Sequence, residues 1–167
     1  MSSDDITALD PLVFGGDSPC FGCSPAHPVG FRLGFEKQGG VVRSRFTPGP
    51  NLQGPPGVMH GGLVMTLADE VAAWTIIGLK ERFGFTASLT AKLSSPVRIG
   101  VEILAEGTIT KDAGRVLTIN VELSQVSKRC FVGEFNFVLL DKAGAERLLG
   151  GPIPASWERF ARGPTTP

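Results

Sequence analysis

The run from Gly61 to Leu79 constrains this chain more than any other segment. Leu63, Val64, Leu67, Ala68, Val71, Ala72, Trp74, Thr75 and Ile77 recur at helical spacing and cover nearly every face. A helix that is apolar all round is wrapped by other structure or lies in a bilayer. Asp69 and Glu70 stand at its centre, and two adjacent acids at mid-bilayer depth are costly. The pattern therefore predicts a buried core helix with no membrane span, ending near Gly78 or Gly84, where glycine suits a helix terminus.

From Phe85 onward the chain alternates at period two. Thr86, Ser88, Thr90 and Lys92 oppose Ala87, Leu89, Ala91 and Leu93; Val101, Ile103 and Ala105 oppose Glu102, Leu104 and Glu106. Leu117, Ile119, Val121 and Leu123 oppose Thr118, Asn120, Glu122 and Ser124, and Phe131, Phe135, Phe137 and Leu139 share a face. Turns at Lys111-Asp112-Ala113-Gly114 and Asp141-Lys142-Ala143-Gly144 are read as hairpins. Upstream, Phe31–Glu36 and Val41–Phe46 read as two strands joined at Gly39-Gly40. Ala155–Ala161 reads as a short closing helix. Two strands, a buried helix and four further antiparallel strands predict an α+β domain with the sheet curled around the helix. The expected organisation is an irregular arm over residues 1–28, a single domain over 29–163 and a loose tail over 164–167.

Basic and acidic residues balance at 16 each in 167 residues, which leaves no electrostatic footprint for nucleic acid or an anionic membrane. The segment Met1–Asp10 carries three aspartates and no apolar block, so no secretory signal is expected. Three cysteines, an odd count, argue against a disulfide framework and for a reducing, cytoplasmic compartment. Cys20-x-x-Cys23 followed by His27 has a metal-like spacing. A structural zinc wants four ligands, and Cys130 is the one distant cysteine left, so no metal is expected.

The chemistry concentrates around the helix. His60-Gly61-Gly62 precedes it directly, and a helix start offers unpaired N–H groups and partial positive charge. Such an end can polarise a carbonyl and stabilise an oxyanion, although Gly-Gly also suits tight loop packing. A carboxylate inside an apolar helix costs several kcal/mol unless it is paired or protonated. Gly62 and Asp69 lie about 10 Å apart along the axis, too far for one carbonyl to touch both. If both act on one substrate, the site is composite between two chains.

The string Val58-Met59-His60-Gly61-Gly62-Leu63-Val64-Met65-Thr66-Leu67-Ala68-Asp69-Glu70-Val71 resembles the His-Gly-Gly…Asp signature of the PaaI-type hotdog thioesterases. Cys20-Phe21-Gly22-Cys23, Gln53-Gly54-Pro55-Pro56-Gly57 and Ser95-Pro96-Val97-Arg98-Ile99-Gly100 are similar to a bacterial branch of that family. The resemblance implies a hotdog fold with a six-stranded antiparallel sheet around one long helix, and homodimers or homotetramers sharing a sheet. It implies hydrolysis of an acyl-CoA thioester without cofactor, coenzyme A being part of the substrate. By position, Asp69 matches the general base or nucleophile, and Gly61 the backbone N–H on the thioester carbonyl, with His60 beside it. Thr86 falls where relatives place a water-orienting hydroxyl. Gly62, Glu70 and Arg98 are further substrate-binding candidates. Where some relatives carry an Asn before the loop, this chain has Gly54, with Gln53 beside it as the substitute. Lys92, Arg98, Lys128 and Arg129 are candidate contacts for coenzyme A phosphates. Two alternatives stand beside hydrolysis: a non-catalytic acyl-CoA-binding domain, and a hydratase or dehydratase using His60 with an acid.

Overall fold

In the computed structural model, residues 5–163 are described. One antiparallel sheet contains β1 (Thr7–Leu9), β2 (Phe35–Gln38), β3 (Val41–Phe46), β4 (Phe83–Leu93), β5 (Ile103–Asp112), β6 (Val116–Gln125) and β7 (Lys128–Leu140). Their order is β1-β2-β3-β5-β6-β7-β4, leaving β1 and β4 at the edges. The long helix α1 (Gly61–Lys80) lies in the concave face. Alternation explains the sheet's inner surface: Leu117, Ile119, Val121 and Leu123 of β6 are buried, as are Phe131, Phe135 and Phe137 of β7. Against them α1 buries Val64, Leu67, Ala68, Val71, Ala72, Trp74 and Ile76. By length and composition α1 could cross a membrane, but its apolar residues are spent on this core. The architecture is the expected α+β hotdog, with seven strands where six were expected.

The seventh strand corrects the reading of the arm as irregular. Thr7–Leu9 pairs with β2, and Phe14, Cys23, Phe31 and Leu33 enter the main core. Leu9 rests on Gly78, where a Cβ would lie 2.6 Å from Leu9 Cδ1. Gly78 is thus internal to α1, which ends instead at Glu81 in the left-handed conformation (φ 49°). The strand expected from Phe31 starts only at Phe35, because Phe31 and Leu33 donate their N–H groups to Phe21 O and Gly22 O in the arm.

Asp141-Lys142-Ala143-Gly144 is a helix start rather than a hairpin. Asp141 caps the helix α2 (Lys142–Leu149), its Oδ1 accepting from Gly144 N–H at 2.8 Å. An Asp in this position is common to turns and N-caps, and the helix formers Ala145, Glu146, Arg147, Leu148 and Leu149 decide between them. The closing helix is a 3₁₀ segment over Ala155–Phe160, and the tail expected over 164–167 lies outside the described residues.

The α1–β5 contact is close enough to test. A side chain at Gly107 would run into Thr75 Oγ1 and stand 3.3 Å from Val71 Cγ1. Thr75 is buried and its hydroxyl already donates to Val71 O at 2.7 Å. Gly107→Ala should therefore cost about 1–3 kcal/mol, as overpacked cores do. The readout is a lowered urea midpoint at unchanged slope; an unmoved midpoint would contradict this packing.

Candidate active site

Asp69 and Thr86 meet where α1 passes β4. Thr86 Oγ1 donates to Asp69 Oδ1 at 2.7 Å. Simple alternation groups Thr86 with Ser88, Thr90 and Lys92, but the pairing with β7 is different. Thr86 opposes Phe137 and Ser88 opposes the adjacent Asn136, so Ala87 is an extra residue, a β-bulge. One extra residue reverses the alternation. Thr86 consequently shares the helix-facing side with Leu89, Ala91 and Leu93, which oppose Phe135, Gly133 and Phe131. Without the bulge the hydroxyl would point away from α1. Burial pushes the Asp69 carboxyl above its ordinary value, and the bond from Thr86 pulls it back.

The start of α1 is built from the preceding loop. His60 is the N-cap, and its Nδ1 accepts from Gly62 N–H at 3.1 Å. That bond occupies Gly62 N–H and, in the neutral ring, puts the proton on Nε2. Gly61 N–H has no acceptor among the described residues. Gly61 lines a cleft of about 360 Å³ together with Pro55, Val58, Met59, Val64, Leu93 and Val97. A free N–H with helix-dipole charge behind it, beside apolar walls, suits a polarised carbonyl attached to an apolar group.

The other candidates separate. Gln53 Oε1 accepts from Gly57 N–H at 2.9 Å, so its carbonyl braces the loop before α1. Arg98 is exposed, and the fold holds it by its backbone: Arg98 N–H donates to Gln125 Oε1 at 2.7 Å, and Gln125 Nε2 donates to Arg98 O and Val101 O at 2.9 and 2.8 Å. Gln125 was missed, although it continues the inward series Leu117, Ile119, Val121, Leu123 as its one polar member. Arg129 pairs with Glu122 at 3.4 Å, while Lys92 and Lys128 are exposed.

Glu70 departs furthest from its expected role in substrate binding. One step along α1 turns a side chain by about 100°, and Glu70 points into the arm rather than toward Thr86. Trp74 Nε1 and Cys20 Sγ donate to Glu70 Oε1 at 3.2 and 3.3 Å. Burial first, then the neighbouring Cys20, pushes its carboxyl up to about 8.

A seven-stranded antiparallel sheet curled around one helix with a half-buried acid at mid-length is a hotdog domain, and Pro56–Phe131 matches the family model of the thioesterase superfamily. Acyl-coenzyme A thioesterase THEM4 of Xenopus laevis is 34% identical over 70 residues, 42% of this chain and 31% of that protein. The crystal structure of a thioesterase superfamily protein superimposes with a TM-score of 0.66 at 24% identity, covering 75% of this chain and 64% of that one. A thioesterase superfamily protein from Shewanella loihica PV-4 gives a TM-score of 0.56 at 25% identity, covering 64% of this chain and 89% of its own. The chain spans less than half the length of the curated relatives it matches, at 31%, 18% and 43%.

Proposed function

We propose that this protein hydrolyses an acyl-CoA thioester to the free acid and coenzyme A. The observation that carries this reading is the Asp69–Thr86 pair: a half-buried carboxylate at mid-length of a largely apolar helix, held by a hydroxyl at 2.7 Å. Asp69 acts as general base or nucleophile on the thioester, and Thr86 orients the carboxylate and the attacking water. The Gly61 N–H stabilises the oxyanion as the tetrahedral intermediate forms. Breakdown of that intermediate expels the coenzyme A thiolate, which takes up a proton. This hydrolysis needs no redox cofactor.

Gly61 and Asp69 are eight residues apart, about 12 Å along α1, so the donor and the base on one substrate come from two chains of a homodimer. Edge strand β4 supports this arrangement. On its helix-facing side Leu89 and Leu93 are 42% and 43% exposed, and its outer backbone edge is unpaired among the described residues. A second copy seated there would bring its Gly61 cleft toward the first copy's Asp69. The compartment proposed is the cytoplasm.

The test is a panel of short-chain, long-chain and aromatic acyl-CoAs followed by free-thiol release from the purified chain. Hydrolysis of at least one member is expected, and the best member identifies the acyl class. Release from none would remove the thioesterase reading and put a non-catalytic acyl-CoA-binding role ahead.

A further inference from the structure

Glu70 and the Cys20–Cys23 loop form a second cluster, on the arm side of α1 and outside the Asp69–Thr86 pair. Cys20 Sγ, Cys23 Sγ and a Glu70 carboxylate oxygen all lie within 4.8 Å of one another. An ion with zinc–sulfur bonds of about 2.3 Å holds two tetrahedral thiolates roughly 3.8 Å apart, so side-chain rotations alone bring these donors into range. The backbone is shaped for this approach. A Cβ on Gly22 would lie 2.5 Å from the Glu70 carboxylate, so glycine lets the loop descend onto α1 with Glu70 in its present position. Cys23 N–H donates to Cys20 Sγ at 3.4 Å, an outer contact of the kind that orients a metal-binding sulfur.

The charge balance points the same way. Three groups that become anionic converge beneath the arm, and among the described residues no Lys, Arg or His forms an ion pair with Glu70. Its hydrogen-bond donors are Cys20 and the neutral Trp74 indole. A half-buried carboxyl beside two thiols and no cation holds its proton above the ordinary range, and a divalent ion would supply the missing counter-charge. Sequence spacing leaves the cysteine pair short of ligands because Glu70 is 50 residues from Cys20 along the chain; Cys130, the cysteine available by composition, is instead buried in β7 with its Sγ directed to Lys128 O.

We propose that Cys20, Cys23 and Glu70 bind one thiophilic divalent cation of the zinc class, which clasps the N-terminal arm onto α1. Two sulfur ligands and one carboxylate favour zinc over magnesium or calcium, and Cys20 is partly exposed, so a solvent water would complete the four-coordinate shell. Binding displaces the protons of both thiols, and the proton that Glu70 holds below its raised value, to solvent. The ion is structural: its carboxylate ligand faces away from the Asp69–Thr86 pair, so the site is independent of thioester hydrolysis.

The experiment uses the full chain, freshly reduced and stripped with a chelator, titrated with Co²⁺ alone as the probe. One Co²⁺ per chain is expected, with thiolate-to-cobalt charge-transfer absorption and the intense visible bands of a tetrahedral site, both bleached by added Zn²⁺. Cys20→Ser and Glu70→Gln should each lose stoichiometric uptake, and Cys130→Ser should retain it. If Cys20→Ser fails to fold, the near-isosteric Glu70→Gln decides. Absence of the charge-transfer band in the reduced wild type overturns the proposal, as does an undiminished band in Glu70→Gln.

Discussion

Asp69→Asn is expected to lower kcat on the best acyl-CoA by about a hundred- to ten-thousandfold, the range lost with a general base. Asparagine keeps the shape of aspartate and an Oδ1 acceptor for Thr86 Oγ1, which now stands at 2.7 Å. It can neither take a proton from water nor attack a carbonyl. The fold should be undisturbed, because the change removes a charge that burial already disfavours. The signature is therefore a collapse in thiol release with an unfolding midpoint at or above that of the wild type. KM should change little if Asp69 acts only in the transition state. An active Asp69→Asn protein would overturn the base role proposed for Asp69, and with it the proposed two-chain site.

Trp74→Ala carries the largest expected effect on stability, about 3–5 kcal/mol, as for other buried tryptophans cut to alanine. Trp74 is 1% exposed and joins three parts of the fold. Its ring stacks on Phe35 of β2 at 4.6 Å and 11°, and meets the edge of Phe14 from the arm at 5.7 Å and 80°. Phe14 in turn contacts Trp157 and Phe160 in the closing 3₁₀ segment at 5.4 and 4.9 Å. Truncation opens a cavity among these rings and leaves Glu70 Oε1 without its indole donor. Urea unfolding should read the loss. Trp74→Phe fills most of the cavity without the N–H, so the difference between the two variants isolates packing from the hydrogen bond. A loss below about 1 kcal/mol for Trp74→Ala would mean that the arm and α1 are not joined through this ring.

Much of the fold was legible because the helix and the sheet have different periods. The all-round apolar stretch from Leu63 to Ile77 became the central helix, and the inward series on β6 and β7 were readable residue by residue. Three features were hidden for physical reasons. The strand at Thr7–Leu9 is three residues long and gains its place from β2 and Gly78 rather than from its own pattern. The helix at Lys142–Leu149 shares its opening residues with turns, and the cap at Asp141 works in either context. The side of α1 to which Glu70 points depends on where the arm lies, and no spacing within the helix reports that.

The candidate site was legible as residue types and only partly as geometry. Asp69 was conspicuous as a charge in an apolar helix, and a free N–H at Gly61 follows from any helix start. The contact between Thr86 and Asp69 was not readable from alternation, which assigned Thr86 to the opposite face. Gln53 and Gln125 illustrate the same limit: both are spent on holding loop backbone, at Gly57 and at Arg98 and Val101. A side-chain amide serves loop and ligand equally well, and its neighbours in space decide the matter.

The extra residue at Ala87 also divides labour along β4. Upstream of it the strand presents the hydroxyl of Thr86 to α1; downstream, in shifted phase, it presents Leu89, Ala91 and Leu93. The part that orients the acid and the part that forms an apolar wall therefore occupy one surface but belong to separate runs of backbone. Residues 89, 91 and 93 can be enlarged, shortened or made polar without rotating Thr86, because the phase is reset between them. On the proposed reading, acyl preference can drift on such a strand while the Asp69–Thr86 contact is kept.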